Sequence, residues 1–359
     1  MALSSDHPRA PARWGEVAFF PLSQPHMPIV REGEKSDWVP EGRIIPIDID
    51  DVARLLEPWR GERPVTAATF LPGGLMNRNY RVRVGGDDVV LRFYDRDARA
   101  CAKEVGLLSE LHGRVAVPEV LYAGPGAEAV PFAVLEFVDG ISMRELKRSG
   151  DTSGIGEGAY AVGRELATLA SVRSRDPAIL ATHFQPNPEL LHGLNVNARL
   201  VDHFLESTLL RGRLSEHDAT RVHDFAWRYD DALSAMSDTP GIAHGDFNSA
   251  NILVQRCGGR WTVAAILDWE FAFEGPIAYD IGNFLRYERA SDPRFEPSFS
   301  RGLADGGVSL PNGWRQIARA ADLSALCELL TRPATPNTVV EEIRELVLAT
   351  IDHRDFMPS

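Results

Sequence analysis

Lysine is almost missing from this chain. Of 38 basic residues in 359, only Lys35, Lys103 and Lys147 are lysine, and the other 35 are arginine. Positive charge is short overall, since 51 acidic residues leave a net charge of −13. A general binder of nucleic acid or of an anionic membrane needs the opposite excess, so neither partner is expected. A local anion site built from a few arginines, backbone N–H groups and a metal ion remains compatible with that balance. Cysteine is scarce too. Cys101, Cys257 and Cys327 are odd in number and far apart, with no C-x-x-C pair, so neither a zinc site nor a disulfide framework is expected. No apolar run reaches the length of a membrane span. The first residues, MALSSDHPRAPARWG, lack the apolar core of a secretion signal, and a cytoplasmic protein is the default expectation.

What the chain does contain is an ordinary globular profile, 44% apolar and 25% charged. Residues 1–46 hold seven prolines, at positions 8, 11, 21, 25, 28, 40 and 46. No regular period survives that density, so this part reads as an extension. From Ile47 the pattern becomes regular. DIDDVARLLEPW reads as a short helix. TAATFLPGGLMNRNYRVRV reads as strand, glycine turn and strand, then GGDD as a hairpin turn into the strand VVLRFY. An amphipathic helix, DARACAKEVGLLSELH, and two further strands, PEVLYAG and PFAVLEF, complete a β-rich part over 47–139. Over 140–359 the pattern turns helical, with helices expected at 156–172, 196–210, 214–237, 278–289, 314–330 and 338–352. One strand pair, NILVQ and WTVAAIL, is joined there by RCGGR. The expected class is α+β, a small β-rich part followed by a larger helical one. The three segments carry net charges of −1, −4 and −8.

The chemistry concentrates in His244-Gly245-Asp246-Phe247-Asn248-Ser249-Ala250-Asn251 and in Asp268 of AAILDWE. Asn251 opens one strand of the expected hairpin and Asp268 ends the other, which brings an amide oxygen beside a carboxylate. Those are hard oxygen ligands suited to Mg²⁺. Asp246, five residues before the amide, is a separate carboxylate able to accept a hydroxyl proton. Phosphoryl transfer needs this division between a clamp for phosphates and a group that positions the nucleophile.

HGDFNSANILV followed by ILDWE resembles the aminoglycoside phosphotransferase family of small-molecule kinases, which is similar in fold to protein kinases. The resemblance implies a bilobal kinase-like fold. It implies a nucleotide-binding lobe over 47–139 and a catalytic, acceptor-binding lobe over 140–359. It also implies ATP, with GTP as an alternative, as phosphoryl donor, with Asp246 as the catalytic aspartate and Asn251 and Asp268 as magnesium ligands. A protein kinase would be expected to show H-R-D, D-F-G and A-P-E. Here Gly245 stands at the arginine, DWE replaces DFG and no APE follows, which favours a small-molecule hydroxyl acceptor.

The N-terminal part can be compared with that expectation. Alternation in VVLRFY places Val89, Leu91 and Phe93 on one face and Val90, Arg92 and Tyr94 on the other. Arg92 is the charged residue of a strand apolar on both faces, so it needs a partner. Glu104, at the edge of the apolar stripe of the next helix, is that candidate. Arg92 stands where protein kinases carry lysine. Either the general avoidance of lysine explains it, or the site is weakened as in a non-catalytic nucleotide-binding regulator. The turn LPGGLMNRNY offers Gly73 and Gly74 for close backbone approach to phosphate, with Asn77 as a donor. PFAVLEFVDG resembles the family's interlobe hinge, so a purine would be read by main-chain groups around Glu136 and Val138. Glu270 is either a metal contact or a loop charge. His244 reads as packing the loop, and Asp280 as a helix N-cap that the resemblance also sets to steady the catalytic loop. The acceptor expected from an acidic helical lobe is cationic, such as an aminoglycoside or another basic antibiotic. A metabolic alcohol, either an amino alcohol or a sugar derivative, is the alternative. Oligomeric state has no signature in the sequence.

Overall fold

The computed structural model of the chain describes residues 47–354 apart from 72–76, 96, 125–129, 177–179, 181–189, 191–192, 237–240 and 334. The proline-rich extension and Gly73-Gly74 therefore lie outside the described residues. Five antiparallel strands form the N-terminal sheet: β1 (Val65–Leu71), β2 (Arg78–Val84), β3 (Asp87–Phe93), β4 (Val120–Ala123) and β5 (Phe132–Glu136), in the order β1-β2-β3-β5-β4. Gly85 and Gly86, both at positive φ (62° and 101°), make the two-residue turn between β2 and β3, as a GG hairpin requires.

The alternation in β3 divides two cores. Val89, Leu91 and Phe93 pack with Tyr80, Val82, Phe132 and Val134 under Val52 of helix α1 (Ile49–Leu55), which is followed by the single turn α2 (Glu57–Arg60). Tyr94, Ala133 and Leu135 face the other way, onto α3 (Ala98–Leu111). Helix α3 starts at Asp97, whose side chain accepts the Arg99 N–H at 2.8 Å, a cap worth about 1 kcal/mol. Its buried face includes Leu107, Leu108 and Leu111, each contributing about 1.5–3 kcal/mol by leaving water. That face packs into the same core as Leu166, Phe299 and Trp269 of the helical part.

The helical part consists of α4 (Met143–Arg148), α5 (Thr152–Ser171), α6 (Val196–Leu205), α7 (Thr208–Arg211), α8 (Glu216–Ser234), α9 (Ala278–Leu285), α10 (Glu296–Asp305), α11 (Trp314–Leu330) and α12 (Asn337–Ile351). A second core among α6, α8, α11 and α12 is centred on Val201, Val222, Leu323 and Val347. Several short elements in this part were not expected: the helices α4 and α10, the edge strand at Ile141–Ser142, and the strand pair β7 (Gly241–Ala243) with β10 (Phe273–Gly275). The expected pair is present as β8 (Ile252–Cys257) and β9 (Arg260–Ile266), with β6 (Ile141–Ser142) added at the edge. No helix among the described residues is long and apolar enough to cross a membrane.

Candidate active site

The β8–β9 hairpin sets the site. Ile252 pairs with Ile266, and the Leu267 N–H donates to the Asn251 carbonyl at 2.8 Å. Asn251 and Asp268 therefore flank the open end of the hairpin, as its spacing implied. Asp268 has φ 65°, ψ 64°, a left-handed conformation that Asp and Asn tolerate better than most residues. This turn carries its carboxylate out of the strand, where 27% of the side chain stays exposed.

The loop between β7 and β8 holds Asp246. Its Oδ1 accepts the Asn248 amide at 2.9 Å and its Oδ2 accepts the Asn251 amide, also at 2.9 Å. Two donors fix the plane of the carboxylate. Burial still pushes its pKa up to about 6, with the two amides opposing the shift. The loop is held from below. Asp280, fully buried, accepts the backbone N–H groups of His244 (2.9 Å) and Gly245 (3.0 Å). It lies inside the first turn of α9, whose N-cap is Ile277, so the N-cap expectation is corrected while the loop-steadying contact is present. His244 is buried against Trp269. Its Nε2 donates to the Leu267 carbonyl at 2.9 Å and its Nδ1 accepts the Asp246 N–H at 3.2 Å. That assignment needs a neutral ring, and burial accordingly lowers its pKa to about 4. His244 is thus a packing residue of the loop.

Across the cleft, Arg92 meets Glu104, the expected partner, and also Asp268, which was not expected to pair with it. Its Nε lies 2.9 Å from Glu104 Oε2, off the N–H direction, and its Nη1 pairs with Asp268 Oδ1. Burial opposes the Arg92 charge, but Asp268 and Glu104 more than offset it and hold its pKa well above the ordinary value. Glu104 is joined by the Tyr94 hydroxyl at 2.7 Å and by the Trp269 N–H at 3.2 Å. One buried carboxylate thereby ties β3, α3 and the DWE segment together. Asn77, just before β2, donates to Glu270 at 3.0 Å. Burial pushes Glu270 up to about 7, which Arg92 opposes. Glu136 ends β5, with its N–H given to the Glu119 carbonyl at 2.9 Å and its side chain accepting the Glu119 N–H at 3.2 Å. Val138 follows two residues later, half-buried. Neither shares a hydrogen bond with the Asp246 group, so the candidate nucleotide residues fall into two separate places.

Three polar residues here were not foreseen. Asn248 grips Asp246 from inside the motif. Lys147 of α4 donates to Ser249 Oγ at 2.6 Å and lies over the rings of Phe295 (3.5 Å) and Phe284 (4.1 Å). Lys103 is 1% exposed on α3. The rarity of lysine was the available signal for the last two.

The donor set suits a small hard cation. With the Asn251 nitrogen turned to Asp246, its Oδ1 faces away, and Asp268 keeps one oxygen beyond its bond to Arg92. No group of three or more His, Cys, Asp or Glu side chains that could hold a metal exists among the described residues. Two protein oxygens completed by phosphates and water is a usual Mg²⁺ arrangement.

A β-rich lobe and a helical lobe meeting at a loop aspartate, an Arg–Glu pair and a strand-end Asp define a kinase-like phosphotransferase. A family model described as the phosphotransferase enzyme family matches residues 67–318, and the chain belongs to that family of small-molecule kinases. Solved structures share the fold. A thermostable mutant of aminoglycoside phosphotransferase APH(4)-Ia, in ternary complex with ADP and hygromycin B, matches with a TM-score of 0.58 at 16% identity. That match covers 83% of this chain and 97% of the other. A putative aminoglycoside phosphotransferase from Ralstonia eutropha matches at 0.62 and 15% identity, covering 86% and 99%. The GDP complex of aminoglycoside 2'-phosphotransferase-IIIa matches at 0.58 and 17%, also covering 86% and 99%. None of the curated proteins matches the chain in sequence.

Proposed function

We propose that the protein transfers the γ-phosphoryl group of ATP or GTP to a hydroxyl of a small molecule. The observation that carries this is the Asp246 carboxylate, gripped by two amides beside the Asn251–Asp268 pair. In this reading Asp246 orients the acceptor hydroxyl and takes its proton late. Arg92, held by Glu104, faces the nucleotide phosphates, and main-chain groups near Glu136 and Val138 meet the purine. Asn251 and Asp268 hold Mg²⁺, which would neutralise charge developing on the phosphates. The gain then comes from positioning and from a preorganised field.

For the acceptor, the net −8 of residues 140–359 supports a cationic compound such as an aminoglycoside. The structurally similar APH(4)-Ia complex contains hygromycin B, which is in keeping with that class. One observation favours a second reading, a metabolic alcohol. Arg286 bears a charge felt at Asp246, and it is paired with Asp322 at 2.7 Å, so the surroundings of Asp246 are not uniformly acidic.

The test is magnesium-dependent ADP or GDP release over a panel of aminoglycosides, amino alcohols and sugars. At least one acceptor should be turned over, and Asp246→Asn should lower kcat by about 10²- to 10⁴-fold. Nucleotide binding without turnover, and without any effect of Asp246→Asn, would instead make the protein a non-catalytic regulator.

A further inference from the structure

Lys103 has no role in the site described so far, yet it is among the most deeply buried large side chains, at 1% exposure. It precedes Glu104 on α3, so the two side chains leave the helix about 100° apart. Among the described residues its Nζ has no hydrogen-bond partner. The opposite charge it feels is Glu270, but the two do not close into an ion pair. Glu270 in turn accepts from Asn77 and feels Arg92. The ammonium therefore lies where it feels Glu270, with no donor committed to a partner among the described residues.

A buried, unpaired ammonium is costly, and folded proteins seldom keep one without a use. Burial lowers the Lys103 pKa to about 8, against the pull of Glu270, in keeping with that cost. Composition sharpens the point, because a chain that writes arginine at 35 of 38 basic positions writes lysine here. The guanidinium already present, Arg92, is engaged by Glu104 and Asp268. What the cluster lacks is a compact point charge able to donate to a phosphate.

We propose that Lys103 is a phosphate-binding residue of the nucleotide site, supplying from helix α3 the ammonium that strand β3 does not carry. The proposal rests on the nucleotide-dependent reading above. The phosphate oxygens would take the donors that no described protein group takes, beside Arg92, whose guanidinium also stays engaged by Glu104 and Asp268.

Scarcity of lysine makes a direct test possible on the unmodified protein. An ATP acylated on its terminal phosphate is attacked by a lysine Nζ lying beside the phosphates. An amide forms at the acyl carbon, the acyl–oxygen bond to phosphate breaks, ATP leaves and a proton goes to solvent. After digestion, mass spectrometry reads Lys35, Lys103 and Lys147 separately. Labelling at Lys103, protected by Mg·ADP, is expected. Labelling only at Lys35 or Lys147, or at no lysine while the wild type binds Mg·ADP, overturns the assignment. A variant supplies a second readout. Lys103→Met should weaken ADP binding at least tenfold and leave adenosine within twofold. An unchanged ADP affinity, or equal weakening of ADP and adenosine, also overturns it. If the Met variant does not fold, the labelling result decides. A wild type that binds neither ADP nor GDP removes the nucleotide reading itself, and that outcome is distinct from the others.

Discussion

Arg92 and Glu104 are twelve residues apart in sequence and in contact in the fold, at 5% and 1% exposure. Taking a charge out of water is tolerable only when its partner stays in place. Arg92→Met should therefore cost about 3–5 kcal/mol in urea unfolding, because Glu104 is left buried without a countercharge. Adding Glu104→Gln should recover more than half of that, and a double variant no more stable than the single would contradict the pairing. The pair was legible because alternation isolates one charged residue in an apolar strand. Lys103 was not, since a helical stripe drawn from apolar residues passes over a buried cation. Lys147 shows the same blindness and carries its own expectation. Burial lowers its pKa from 10.5 to about 7. A depressed value in the folded state means that the unfolded chain binds more protons between pH 7 and 10. Lys147 thus contributes stability that grows as pH rises through that window and is lost as pH falls through about 7. Between pH 8 and 9.5 the stability of wild type minus that of Lys147→Met should rise by up to about 1.4 kcal/mol per pH unit. A pH-independent difference would show that Lys147 is solvated.

Among the described elements, α5 and α10 approach closely. A Cβ at Gly163 would sit 2.1 Å from the Phe299 carbonyl, and one at Gly302 would sit 2.2 Å from that of Tyr160. The two backbones touch through reciprocal glycines, and this is why α10 escaped sequence reading. Its stretch, EPSFSRGLAD, has a proline, two serines and a glycine, and it is helical because α5 receives it. The strand pair β7–β10 is three residues long on each side, too short to show a period. Helix α4 did carry a signal, the Ser142–Glu145 capping box, with bonds of 2.7 and 3.1 Å. By contrast β1 to β5, α3 and the β8–β9 hairpin were legible, because each has a clear period bounded by turn residues. Gly163→Ala should destabilise by about 2 kcal/mol or more through overpacking. Gly156→Ala on the same helix meets only the Ser298 hydroxyl at 3.3 Å. It should be neutral or stabilising by up to about 1 kcal/mol, and thermal unfolding of the two variants separates these cases.

At the scale of the whole molecule, the two lobes do not own separate interiors at their junction. Tyr94, Leu107 and Leu111 share one core with Ile155, Leu166 and Phe299. Backbone bonds cross as well, from Ile266 N–H to the Ala116 carbonyl at 2.8 Å, and the Ala116 N–H donates to Glu165 at 2.6 Å. Unfolding should therefore be a single transition, with tryptophan fluorescence and far-UV circular dichroism coinciding in urea. Two separated transitions would mean that the lobes fold independently. The bilobal plan could be read from composition, since strand patterns end near Asp139 and helical ones follow. The shared core could not, because a pattern names the buried face of an element without naming what covers it.

Gly245 has φ 78°, and a Cβ there would come within 2.5 Å of the Phe271 carbonyl oxygen. No side chain can be added at that point without moving the segment that follows Asp268. Protein kinases place an arginine in this loop position, and many order their activation segments by pairing arginines with an added phosphate. Here that route to control is closed by backbone geometry. A lone Gly245→Arg change could not open it, because the loop would first have to leave the left-handed region. The loop stands assembled on Asp280 before any modification arrives. A covalent switch that works through an arginine at this loop position is therefore not open to this backbone.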